Sequence, residues 1–167
     1  MSGRQTEEHF EGIGKLIAES YGAESANAYR AFEPAASELD DLSEAGQTLL
    51  RVFPQLPGAC LMMSALYEVG IRAVTKSPVY VVAGSFSVKG VRIFGDDSDI
   101  DGAVRFSKSD QTWDGHAWLV FGNYLADVSV FRTAYSSKCH PLLRTHVIAE
   151  FGVGRGLLVC KIEDTAK

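Results

Sequence analysis

Cys60, His116 and Asp127 are the residue types that thiol chemistry needs: a nucleophile, a base for its proton, and a carboxylate to hold that base. Gln55-Leu56-Pro57-Gly58 reads as a turn, and Cys60 follows at the start of a run rich in Leu, Met and Ala. Those are strong helix formers, so the run predicts a helix with Cys60 in its first turn, ending at Gly70. Free N–H groups and the positive end of the helix dipole favour a thiolate there. The predicted core stripe of this helix is Leu61, Ser64, Ala65 and Val69, with Leu66 beside it. A free cysteine on an apolar helix also serves packing alone, so the position does not decide between the two roles.

The partners come from a predicted β-hairpin. Two β-rich runs, 113–121 and 124–131, flank Gly122-Asn123, a two-residue turn signal. In that register His116 faces Ser129, and Trp118 faces Asp127. His116 and Asp127 then share one face as diagonal neighbours, about 5–8 Å apart at the backbone, within reach of a side-chain hydrogen bond. An Asp inside Leu125-Ala126-Asp127-Val128-Ser129-Val130 is unfavourable unless it finds a partner. His116 supplies one, and the carboxylate would fix its tautomer and steady its charged form. A structural His–Asp pair, or Asp127 bonding backbone at a strand irregularity, accounts for the same residues without catalysis.

Taken together, the Cys60 helix, the strand Gly115-His116-Ala117-Trp118 and the strand Ala126-Asp127-Val128 resemble the transglutaminase-like branch of the papain-like cysteine superfamily. That branch includes transglutaminases, arylamine N-acetyltransferases and small bacterial cysteine peptidase-like proteins. The resemblance covers residues 55–133 and implies Cys60 as nucleophile, His116 as base and Asp127 as orienting carboxylate. It implies an oxyanion role for Gln55, which sits one residue closer to the cysteine than the papain pattern has it. Trp118 matches an aromatic often found on the His strand, and Trp113 joins it as a pocket-lining candidate. Leu61 departs from the family, which often carries an aromatic after the nucleophile. The implied activity is cysteine-dependent acyl transfer: a thiol hydrolase or peptidase with water as acceptor, or a transferase with an amine. The expected partner is a small-molecule or peptide amide, and no cofactor is needed.

The rest of the chain must position those groups. The 167 residues suit one domain with a real core, at 46% hydrophobic and 22% charged. Residues 5–52 read as helical, with segments over 10–21, 26–32 and one starting near Asp41 or Ser43; they are expected to cover one side of the site. Residues 53–133 hold the Cys60 helix and strands over 79–88, 91–94 and 103–106, then the hairpin. Residues 134–167 hold a helix over 142–151 and a strand around Cys160. The expected fold class is α+β, with N-terminal helices and a Cys-bearing helix packed on an antiparallel sheet, the papain-like core.

A net charge of −5 with no Lys/Arg cluster argues against nucleic acid. No signal peptide or bilayer-length apolar run appears, so a cytoplasmic protein off the membrane is expected. Three widely spaced cysteines are no disulfide framework. Asp97-Ser98-Asp99-Ile100-Asp101-Gly102 imitates the start of a calcium loop, but Lys108 stands where a bidentate Glu is required. Asp97, Asp99 and Asp101 therefore remain a weak metal candidate. A binding module of the same fold without activity and a calcium-responsive protein are the alternative functions.

Overall fold

The structure is a computed structural model that describes residues 3–56, 59–88, 91–94, 115–136, 139 and 141–165. Asp97, Asp99, Asp101, Trp113 and the strand expected over 103–106 lie outside the described residues.

Three helices come first: α1 (Gly3–Tyr21), α2 (Ala23–Ala31) and α3 (Ala36–Val52). The third starts earlier than the Asp41–Ser43 signal predicts. Glu38, three residues after Ala35, accepts the Ala35 N–H at 2.9 Å and opens the helix there. The Cys-bearing helix α4 (Cys60–Val74) follows. It also overruns its predicted stop, since Gly70 lies inside it. Ile71 is fully buried, and Arg72 ties the last turn to Glu68 and to the Val79 carbonyl, which outweighs one glycine's cost.

The strands are β1 (Tyr80–Gly84), β2 (Phe86–Val88), β3 (Val91–Phe94), β4 (His116–Phe121), β5 (Tyr124–Asp127) and β6 (Leu158–Lys161). Helices α5 (Val130–Tyr135), α6 (Pro141–Phe151) and α7 (Ile162–Thr165) complete the described elements. The main sheet has the order β1-β4-β5-β6 with every pairing antiparallel, and β2-β3 forms a separate ribbon. The fold class is thus α+β.

The N-terminal helices do not gather on one side, as expected, but divide between the sheet faces. Leu42 of α3 and Met63, Tyr67 and Ile71 of α4 pack with Leu119, Phe121 and Ala126. Ile17 of α1 and Ala26 and Tyr29 of α2 pack with Tyr80, Val82 and Val120. The reason is that β4 is apolar without a break from Ala117 to Phe121, so the side chains on both faces must be covered. Close approach of α3 to α4 needs Gly46: a Cβ there would sit 2.9 Å from the Tyr67 hydroxyl, which donates to the Leu42 carbonyl at 2.6 Å.

The buried face of α4 also differs from the predicted stripe. Cys60, Met63, Ser64, Tyr67 and Ile71 face inward, while Leu66 (42% exposed) and Val69 (64%) face outward. Apolar residues surround this helix, so hydrophobicity alone does not choose a face. The hydroxyls of Ser64 and Tyr67, each with a buried acceptor, settle it.

Candidate active site

The hairpin has the register predicted from a two-residue loop: Phe121 pairs with Tyr124, Val120 with Leu125 and Leu119 with Ala126. Gly122 takes φ 57°, and a Cβ there would lie 2.7 Å from the Phe32 carbonyl oxygen. Glycine is therefore required at this turn, both for its backbone angle and for its contact with the segment after α2.

That register brings His116 and Asp127 together. His116 Nε2 lies 2.5 Å from Asp127 Oδ2, and both residues are only 1% exposed. The other carboxylate oxygen is equally engaged. Asp127 Oδ1 accepts the Ser129 N–H at 2.7 Å, the Ser129 hydroxyl at 3.0 Å and the Val130 N–H at 3.0 Å. Here the structure corrects a boundary. The run 124–131 is not one strand; β5 stops at Asp127, and α5 begins at Val130. The side chain of Asp127 turns the chain by capturing two backbone donors that a continued strand would send to a neighbour.

The electrostatics follow from that geometry. Burial disfavours the charged imidazole of His116, but the Asp127 charge and hydrogen bond override it, with a smaller contribution from Cys60. The net result pushes His116 up to about 9. Burial likewise opposes the Asp127 carboxylate, and the His116 charge and hydrogen bond, with the Ser129 and Val130 backbone donors, hold it below its ordinary value. Trp118, half-buried, stacks on the imidazole with ring centres 6.0 Å apart and 28° between planes. An indole face in that position favours a cationic imidazole.

Cys60 occupies the first position of α4 and is 8% exposed. Its thiol lies close enough to the His116 ring to add to the upward push on the imidazole. One turn further along α4, Ser64 Oγ donates to the carbonyl of Ala117 at 2.9 Å. Ala117 directly follows His116, so this buried bond fixes the helix against the strand beside the Cys60–His116 contact.

Other predicted residues stand apart. Gln55 is exposed on the segment between α3 and α4. Cys160 lies on β6, where burial, then Asp164 and Asp127, push its thiol up to about 11. Burial also raises Cys139. Both are poorer thiolates than an ordinary cysteine. Among the described residues no group of three His, Cys, Asp or Glu is placed to hold a metal ion, and no helix is long and apolar enough to cross a membrane. Two surface clefts, one bordered by Phe10, Arg30 and Phe32 and one running between α3 and α4, contain none of Cys60, His116 or Asp127.

Sequence reasoning missed two supporting residues, Ser129 and Ser64. Asp127-Val128-Ser129 carries a usable signal, since Asp bonds the backbone two residues on in turns. Ser64 carries none, because its acceptor is a backbone carbonyl 53 residues away. No protein-family model, curated protein or solved structure matches this chain.

Proposed function

We propose that the protein is a cysteine-dependent acyl-transfer enzyme, with Cys60 as nucleophile, His116 as base and then acid, and Asp127 as the orienting carboxylate. The observation that carries this reading is the buried pair itself: Asp127 holds one side of the His116 ring at 2.5 Å, with Cys60 at the start of α4 close enough to add to the imidazole's upward shift. A helix bearing the cysteine, packed on an antiparallel sheet bearing the His and Asp, is also the layout expected of a papain-like, transglutaminase-like core.

In the proposed reaction Cys60 Sγ attacks the carbonyl carbon of an amide, ester or thioester. His116 takes the sulfur's proton, and the imidazolium so formed is stabilised by Asp127. Collapse of the tetrahedral adduct breaks the bond to the leaving group, which takes the proton from His116, and leaves a thioester on Cys60. Water or an amine then gives up a proton to His116 and attacks the thioester. The product is an acid or a new amide, and the thiol is regenerated. The Cys60 backbone N–H, at a helix start where it has no intrahelical acceptor, supplies an oxyanion donor.

The near-complete burial of Cys60 favours a second reading, in which the fold binds an amide-containing ligand without turning it over. One experiment separates them. Iodoacetamide alkylation of each cysteine is followed by peptide mass spectrometry from pH 5 to 10, in wild type and in His116→Ala. Fast labelling of Cys60 below pH 7 that slows in His116→Ala is the expected result. Labelling that follows an ordinary thiol near about pH 8.5, indifferent to His116, would overturn the enzyme reading.

A further inference from the structure

Arg132 makes an unusual set of contacts. It lies on α5, five residues past Asp127, and reaches back to the end of α3. Its Nη2 donates to the Leu50 carbonyl, and its Nη1 donates to the carbonyls of Phe53 at 2.8 Å and Pro54 at 3.1 Å. The local sequence explains why a side chain is needed there. In a continuing helix the Leu50 carbonyl would accept from the N–H of residue 54, but residue 54 is proline and has none. The guanidinium supplies the missing donor and places a positive charge at the negative end of the α3 dipole.

The two ends of this bridge both belong to the site. On one side, α5 starts from the backbone N–H that Asp127 Oδ1 holds. On the other, Phe53 and Pro54 open the segment that carries Gln55 and delivers Cys60 at the head of α4. We infer that Arg132 is a positioning residue of the Cys60 site: its three carbonyl contacts set the segment leading to the nucleophile against the helix anchored by the Asp127 carboxylate. This inference rests on the Cys60–His116–Asp127 reading. Arg132 touches no reacting atom and acts by keeping the Cys60 thiol within reach of His116. A planar fork with several fixed donors can hold three carbonyls at once, whereas a lysine ammonium is a single point on a flexible stem.

The test uses Arg132→Met and Arg132→Lys in the full chain, with site-resolved alkylation of Cys60 against pH and thermal melting read on the same samples, well below the melting transition. Arg132→Met is expected to raise the midpoint of Cys60 labelling by about one pH unit toward an ordinary thiol, with Arg132→Lys in between. Labelling at a pH well below the wild-type midpoint should slow by about tenfold in Arg132→Met. In a His116→Ala background the same substitution should leave the midpoint where His116→Ala puts it, because the effect runs through that contact. A lower melting temperature with an unmoved midpoint would show a plain helix cap and overturn the inference while the triad stands. Should Arg132→Met fail to fold, Arg132→Lys is measured in the same two ways: a raised midpoint supports the positioning role, and an unmoved one overturns it. If wild-type Cys60 already titrates as an ordinary thiol, indifferent to His116→Ala, the triad reading fails, and the inference fails with it.

Discussion

The hairpin that carries His116 and Asp127 and the helix that carries Cys60 are built on opposite terms. On the hairpin every polar atom that matters is fixed by another. Asp127 alone takes one ring nitrogen, one hydroxyl and two backbone donors, and both residues are almost fully buried. Cys60 stands at a helix end, held mainly by what happens below it: Ser64 on the Ala117 carbonyl, Tyr67 on the Leu42 carbonyl, and Met63 in the core. The acid–base half is therefore immobilised atom by atom, whereas the nucleophile is aimed by the packing of a whole element. A relay loses function when one partner changes its tautomer, but a helix loses its aim only when a packing or anchoring contact fails.

The sharpest way to break that contrast is Asp127→Asn. The amide keeps an oxygen for the Ser129 and Val130 donors but removes the charge facing His116. Acyl turnover on Cys60 is expected to fall by up to ~10⁴-fold with the fold retained. Wild-type turnover in this variant would make Asp127 structural. Next in size is a set of three substitutions on α4. Urea unfolding of Met63→Ala should show a loss of about 2–5 kcal/mol, because Met63 is core. Leu66→Ala and Val69→Ala, on the outward face, should stay within about 0.5 kcal/mol. Equal losses at all three positions would mean that α4 is not seated by one face.

Acid and alkali sharpen the hairpin side. His116 is raised from 6.5 to about 9, so its contribution to stability is complete below pH 6.5 and is lost as pH rises through about 9. Asp127 is lowered from 3.8, so its contribution is present above pH 3.8 and disappears as pH falls through its lower folded value. Melting temperatures measured across pH should decline between 6.5 and 9 in wild type, and His116→Ala should flatten that decline. An equal decline in both proteins would assign it to other groups. The smallest effect is expected from Ser64→Ala: about 1 kcal/mol for one buried hydrogen bond, with slower labelling of Cys60 as the helix loosens against β4. Unchanged labelling would detach the aim of Cys60 from this anchor.

The parts of the site that were legible in the sequence are those set by local chemistry. Gly122-Asn123 specifies a short turn, strand alternation then places His116 and Asp127 on one face, and the observed register agrees. The start of the Cys60 helix was legible for the same reason, from a turn followed by strong helix formers. What could not be read depends on distant partners. The inward face of α4 was misassigned because Leu66 and Val69 are as apolar as Met63, and only the carbonyls of Leu42 and Ala117 choose between them. The end of β5 was missed because Val128-Ser129-Val130-Phe131 has strand composition, and a single carboxylate overrides it. The split of the N-terminal helices between two sheet faces was hidden as well, since each helix shows an apolar stripe but none shows which layer that stripe meets.

The place of β4 in the sheet order has a consequence for how the site comes apart. With β1 on one side and β5 on the other from Leu119 to Phe121, the centre of β4 has strand neighbours along both edges, and α4 covers it. Its amides belong to the part of the molecule that exchanges with solvent deuterium only on deep opening. The first-turn amides of α4, at Cys60 and its successors, have no helical acceptor and sit at an element's end. The start of the nucleophile's helix is thus expected to exchange before the centre of the strand that carries the base.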